Sequence, residues 1–218
     1  MSGEPTRIKL CGLAREEDVR AVARIRPDFC GFVVNVPASR RSVSPERLVR
    51  LCGLLDRLEA ERAPGTPRIL RVGVLANQPL GTVADMASAA HLDFVQLHGN
   101  ENRPYIDALR AKLPRGCGII KAFRMRSASD AAAADESHAD LVLLDSGAGS
   151  GETFDWGLAS RVGRPFLLAG GLGPGNLDEA IRAVHPWGVD MSSGVETDGR
   201  KDPKKMRAAV EAARKERA

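Results

Sequence analysis

The sequence predicts a single-domain (β/α)8 TIM barrel spanning residues 1–218, and three observations predict it. Apolar, β-branched runs alternate with segments of helical period eight times along the chain. Several of these runs end in a polar residue followed by glycine or another small residue. The last two end in Gly170–Gly171 and Ser192–Ser193–Gly194, whose bare backbone N–H groups can surround a phosphate, as the loops after strands seven and eight of such barrels do. Regular alternation argues for a parallel sheet with helical crossovers, and eight units argue for closure. An open doubly wound sheet is the alternative, but the first strand lacks the GxGxxG turn of that fold and about six units would suffice for it.

The strands are expected at Arg7–Leu10, Phe29–Val34, Ile69–Leu75, Phe94–Leu97, Gly118–Phe123, Leu141–Leu144, Pro165–Leu168 and Gly188–Met191. The helices are expected at Glu16–Ile25, Pro45–Glu61, Leu80–Ala90, Arg103–Leu113, Ser127–Ala134, Asp155–Val162, Asn176–Val184 and Lys204–Lys215. Ser44 before Pro45 has the form of an N-cap followed by a first-turn proline. Arg62–Arg68, RAPGTPR, is read as a loop, and no linker or low-complexity tract divides the chain. GVLANQP and AGGLGPG, half a chain apart, hint at an old half-barrel repeat.

Alternation along a strand decides which side chains can meet. Lys9 and Cys11 share one face of the first strand. Phe94, Gln96 and His98 share a face of the fourth, and Leu141, Leu143 and Asp145 a face of the sixth. If those faces point inward, Cys11, His98 and Asp145 arrive together at the C-terminal mouth, where barrels keep their chemistry.

Composition excludes several classes. No apolar run reaches the length of a membrane span, and the N-terminal stretch MSGEPTRIKLC carries no apolar signal segment, so a cytoplasmic location is expected. Cys11, Cys30, Cys52 and Cys117 show no CxxC pairing, which argues against a zinc knuckle or a disulfide framework. The net charge is +4, but arginine is interspersed with acid as in REEDVRAVARIR, the pattern of solvated helix faces. No nucleic-acid or membrane partner is expected. A basic mouth would instead gather an anionic small molecule.

The segments KLCGL, GFVV, SRRSVSPE, VGVLAN, VQLHGNE, IKAF, LLDS, GSGETFDW, LAGGLGPGN and VDMSSGVE resemble phosphoribosylanthranilate isomerase, in that family's order and close to its spacing, over nearly the whole chain. The resemblance implies an Amadori rearrangement of N-(5-phosphoribosyl)anthranilate to 1-(2-carboxyphenylamino)-1-deoxyribulose 5-phosphate, in tryptophan biosynthesis. It implies Cys11 as general base, Asp145 as general acid and Arg41 as the grip on the anthranilate carboxylate. Gln96, His98, Gly170, Gly171, Asp190, Ser192, Ser193 and Gly194 complete the expected substrate site, with Asp190 either touching substrate or supporting its loop. One acid and one base suffice for the chemistry, so no metal and no cofactor is expected. The partner is a small phosphosugar, and the chain is expected as a monomer or homodimer.

Glu152 stands where the family often has Lys, VNVPASRR replaces a more aromatic stretch, and ETDGRKD lacks a common proline. The glycine-rich loop Ser146–Thr153 is expected to act as a mobile lid. Three rivals stay open. They are a histidine-pathway isomerase of like chemistry, which typically uses two aspartates; a metal-dependent ribulose-phosphate epimerase; and a non-catalytic phosphate-binding barrel.

Overall fold

The computed structural model describes residues 5–145 and 156–215. Eight parallel strands form the barrel: β1 (Arg7–Leu10), β2 (Phe29–Val34), β3 (Leu70–Leu75), β4 (Phe94–Leu97), β5 (Gly118–Arg124), β6 (Leu141–Asp145), β7 (Phe166–Ala169) and β8 (Gly188–Met191). Helices α1 (Glu16–Ile25), α2 (Pro45–Ala60), α3 (Leu80–Ala89), α4 (Arg103–Arg110), α5 (Ala128–Asp135), α6 (Trp156–Ala159), α7 (Leu177–Val184) and α8 (Pro203–Arg214) follow the strands in turn. Each strand pairs with its sequence neighbours, and β1 pairs with both β2 and β8, which closes the ring. A two-residue strand, Ser42–Val43, extends the sheet beside β2, and a small hairpin, Glu196–Thr197 with Arg200–Lys201, follows β8.

The expected elements are present, with shifted ends that have local causes. Ser44 accepts a hydrogen bond from the Arg47 N–H and Pro45 opens α2, as the sequence suggested. Helix α4 stops at Arg110, ahead of the expected Leu113, where the chain tightens into a turn in which the N–H groups of Lys112 and Leu113 both donate to Leu109 O. Helix α8 begins at Pro203, one residue early, because the Asp202 carboxylate caps the N–H groups of Lys204 and Lys205. Strands β5 and β6 each run one residue longer than expected, so Asp145 is the last residue of a strand. The predicted lid Ser146–Thr153, with Glu152, lies outside the described residues.

Alternation sorts the side chains into two layers. Ile8, Leu10, Val95, Leu97, Val142, Leu144 and Leu168 pack outward against the helices. Cys11, Phe29, Val72, Val74, Ile120, Leu141, Leu143, Leu167 and Ala169 pack inward against one another. The inward faces are those the period-two reading assigned on β1, β4 and β6. The bottom of the barrel is closed by aromatic rings. Phe29 lies 5.9 Å from Phe94 edge-on and 5.9 Å from Trp187, and the Arg7 guanidinium stacks 4.5 Å over Trp187.

This plug is remote from the polar strand ends, so stability and function should separate there. Phe29→Ala is expected to cost ~3–5 kcal/mol through the cavity it leaves. Urea denaturation with intrinsic fluorescence would read that loss, while the Michaelis constant of the folded fraction stays within about twofold of wild type. A large rise in that constant at unchanged stability would show that the plug shapes the mouth.

Candidate active site

The mouth is built where β1 meets its two neighbours. The Cys11 N–H donates to Met191 O at 2.8 Å, and the N–H groups of Gly12 and Leu13 both donate to Gly31 O. The residue after β1 is thereby held between β8 and β2, with its thiol inward and 6% exposed. Burial pushes the Cys11 thiol up; Lys9 opposes it, Asp190 adds to it, and Lys201 opposes it from farther off. Lys9, one layer below, is fully buried, and its ammonium donates to Asp190 Oδ1 at 2.9 Å. Asp190 thus supports the floor of the mouth through Lys9.

Asp145 ends β6 on the opposite side of the ring, and its carbonyl accepts from the Met125 N–H. Its Oδ2 lies 3.4 Å from His98 Nε2. Gln96, buried beneath His98, brings its amide nitrogen 3.1 Å from His98 Nδ1. With the amide donating, Nδ1 is the acceptor and the ring proton sits on Nε2, aimed at Asp145. Gln96 was expected to touch substrate; the structure places it one layer down, orienting His98. Its Oε1 is buried without a partner among the described residues.

The ends of β7 and β8 carry the expected small residues. Gly170 and Gly171 have φ of 94° and 64°. Asn176 ties their loop, accepting from the Gly173 N–H and donating to Gly171 O. Ser193–Val195 forms a single 3₁₀ turn. Among the described residues none is recorded as accepting from the N–H groups of Gly171, Ser193 or Gly194, which leaves these rim donors to a ligand as far as the described residues go. Gly194 presses on the neighbouring loop, where a Cβ would come 1.9 Å from Leu172 O. Its lack of a side chain serves loop contact as well as any ligand. The Ser192 hydroxyl donates to Cys11 O at 3.2 Å, so that side chain fastens β8 to β1.

Arg41 reaches the mouth from the loop after β2, and its side chain passes over Gly12. Its Nε donates to Glu196 Oε1 at 2.6 Å and one terminal nitrogen to Oε2 at 2.9 Å. The other terminal nitrogen, Nη1, faces no acceptor among the described residues. Glu196 also accepts from Arg40 at 2.6 Å and from Lys201 at 2.8 Å. Burial alone would raise the Glu196 carboxyl, but hydrogen bonds from Arg41 and Lys201 pull it down to about 2. One carboxylate therefore collects three cations, and the rim keeps a positive excess.

Sequence reasoning placed Cys11, His98, Asp145, Arg41 and the glycine loops at one end of the barrel, and the structure brings them there. It missed Glu196 and Lys201, which organise Arg41, and gave no role to Lys9. Glu196 closes the VDMSSGVE motif, so a signal was present. Among the described residues no group of three His, Cys, Asp or Glu could hold a metal ion.

The model of the family described as N-(5'-phosphoribosyl)anthranilate isomerase matches residues 8–212. A relative of that name from Acetivibrio thermocellus is 40% identical over 214 residues, covering 93% of this chain and 93% of its own. A crystal structure of a phosphoribosyl anthranilate isomerase in complex with reduced 1-(o-carboxyphenylamino)-1-deoxyribulose 5-phosphate superposes with a TM-score of 0.77 at 33% identity, covering 95% of this chain and 98% of that one. A structure of monomers generated from the dimeric Thermotoga maritima isomerase gives a TM-score of 0.77 at 32% identity, with the same coverage. With a matching barrel, an inward thiol just after β1 and a carboxylate at the end of β6, the chain belongs to the phosphoribosylanthranilate isomerase family.

Proposed function

We propose that this chain isomerises N-(5'-phosphoribosyl)anthranilate to 1-(o-carboxyphenylamino)-1-deoxyribulose 5-phosphate, within tryptophan biosynthesis. The observation that carries the reading is the arrival of Cys11 and Asp145 at the same end of the barrel as the glycine-rich turns after β7 and β8. The substrate phosphate is taken by Gly171, Ser193 and Gly194, with Gly170 shaping the turn. The carboxylate is gripped by Nη1 of Arg41, whose other edge is fixed by Glu196. Between them the ribose spans the mouth, its reactive carbons between thiol and carboxyl.

The proton inventory closes. Asp145, protonated, gives its proton to the ring oxygen as the C1–O bond breaks, and the anilino nitrogen stabilises the cationic imine that forms. The Cys11 thiolate takes the proton from C2; that C–H pair becomes the C1–C2 double bond and neutralises the nitrogen. The enolamine then tautomerises to the ketone. The His98 Nε2–H, aimed at Asp145, stabilises the carboxylate left by the first step. No redox partner is consumed. We infer a cytoplasmic enzyme acting as a monomer or homodimer; the scattered free thiols support a reducing compartment, and no helix among the described residues is long and apolar enough to cross a membrane.

Three outcomes follow from these roles. Cys11→Ala and Asp145→Asn should each lower turnover about 10²–10⁴-fold, followed as loss of substrate fluorescence, whereas Cys30→Ala and Cys52→Ala stay within a few-fold. Near-normal turnover in either of the first two variants would move the base or the acid elsewhere. The two ends of the substrate should fail separately. Ser193→Asp, which sets a charge in the exposed phosphate turn, should weaken inhibition by inorganic phosphate about tenfold or more, ~1.4 kcal/mol. Arg41→Ala should spare that inhibition and weaken a product analogue; the reverse pattern would mean the substrate lies the other way round. Finally, turnover should persist in excess EDTA, because the two side chains supply both proton transfers. Abolition by chelator with rescue by a divalent ion would support the epimerase alternative.

A further inference from the structure

Among the described residues Lys9 is the largest fully buried polar side chain, with no exposed surface. A barrel interior does not need it; methionine would fill the same space without the cost of burying an ammonium. Its surroundings are built to accept it. Asp190, paired in register with Lys9 across the closing strands, accepts a hydrogen bond from its ammonium at 2.9 Å. On the other side, β2 presents Gly31. A methyl group built there would lie 2.8 Å from Cys11 Sγ and 3.0 Å from Lys9 Nζ. The missing side chain at Gly31 is thus the space in which the ammonium and the thiol converge. Burial works against the Lys9 charge, yet Asp190 and Cys11 together carry its pKa above the ordinary value, so it stays protonated.

We propose that Lys9 is a positioning residue whose ammonium, anchored by Asp190 and admitted by Gly31, is the counter-charge that makes the Cys11 thiolate accessible inside the closed mouth. The proposal rests on the reading of Cys11 as the base. The charged groups facing Cys11 are Lys9 from its own strand, Asp190 from β8, Lys201 from the terminal hairpin and Arg41 from the loop after β2. Lys201 and Arg41 are already committed to Glu196. Asp190 acts against the thiolate and Lys9 acts for it. No electrons change hands. Lys9 keeps its proton throughout; the thiolate forms an S–H bond as the substrate C2–H bond breaks, and returns that proton to solvent before the next turnover.

The test reads Cys11 directly, on the full chain without substrate. Alkylation by iodoacetamide is followed across pH by mass spectrometry of the Cys11 peptide, in wild type, Lys9→Arg, Lys9→Met, Asp190→Asn and Lys9→Met/Asp190→Asn. The single Lys9→Met leaves a carboxylate unpaired in the interior and can fail to fold. The double variant removes both charges and keeps the volume. Relative to Asp190→Asn alone, which already lacks the opposing carboxylate, the double variant is expected to show an alkylation midpoint higher by about one pH unit or more and a neutral-pH rate about tenfold lower, with the acid limb of kcat/KM moving by the same amount. Lys9→Arg keeps the charge and should hold the midpoint near wild type. A double-variant midpoint no higher than that of Asp190→Asn alone would overturn the proposal and leave Lys9 as a mere neutraliser of Asp190. A midpoint that rises in Lys9→Arg as far as in the double variant would also overturn it. Alkylation requires no turnover, so a failure of the isomerase reading would appear in Cys11→Ala alone and leave this measurement intact.

Discussion

Everything at the mouth depends on β1 being hydrogen-bonded on both sides. Its ladder to β8 sets Lys9 opposite Asp190 and Leu10 opposite Met191, and its ladder to β2 sets Lys9 opposite Phe29 and Leu10 opposite Cys30. Were β1 to slip one residue against either neighbour, period-two alternation would turn Cys11 and Lys9 outward together. The Ser192–Cys11 bond and the Lys9–Asp190 ion pair both reinforce this seam. Closure of the ring and assembly of the chemistry are the same structural event.

A second organising element sits above the seam. Glu196 accepts from Arg40, Arg41 and Lys201, and Lys201 in turn donates to Ser192 O at 2.9 Å. The loop after β2, the turn after β8 and the terminal hairpin are joined through one carboxylate. Because that carboxylate titrates near 2, the junction stays charged throughout the range in which a cell operates. It also fixes one edge of Arg41, so the guanidinium meets a planar anion already oriented. The energetic return is a smaller ordering cost on binding.

Most of the barrel was legible because its signals are local. Period-two runs such as LVLLD and FVQLH set the strand faces, and the Ser44–Pro45 cap set the start of α2. Motif likeness then attached roles to Cys11, Asp145 and Arg41. What was not legible are relations between distant residues. Nothing near Lys9 announces that its partner lies 181 positions on, and Gln96 looks like a mouth residue until depth along the strand is known. Gly31 reads as an ordinary strand glycine; only the convergence of two side chains over it explains its size. Helix ends at Arg110 and Pro203 shifted because turn and capping effects act over one or two residues, below the resolution of periodicity.

The seam has a consequence for how the chain reaches its native state. The first strand and the last must meet after all the intervening sequence has condensed, which makes the closing contact one of high sequence separation and an entropically late event. Until then β1 and β8 are both open edges, able to template against another chain. With that seam open, all eight strands would lie in the sheet with seven of the eight pairings made, yet the thiol and ammonium carried by β1 would still be apart from Asp190 and the anion-binding turn of β8. Competence therefore requires the β1–β8 pairing itself, because that pairing alone brings the two halves of the site into contact.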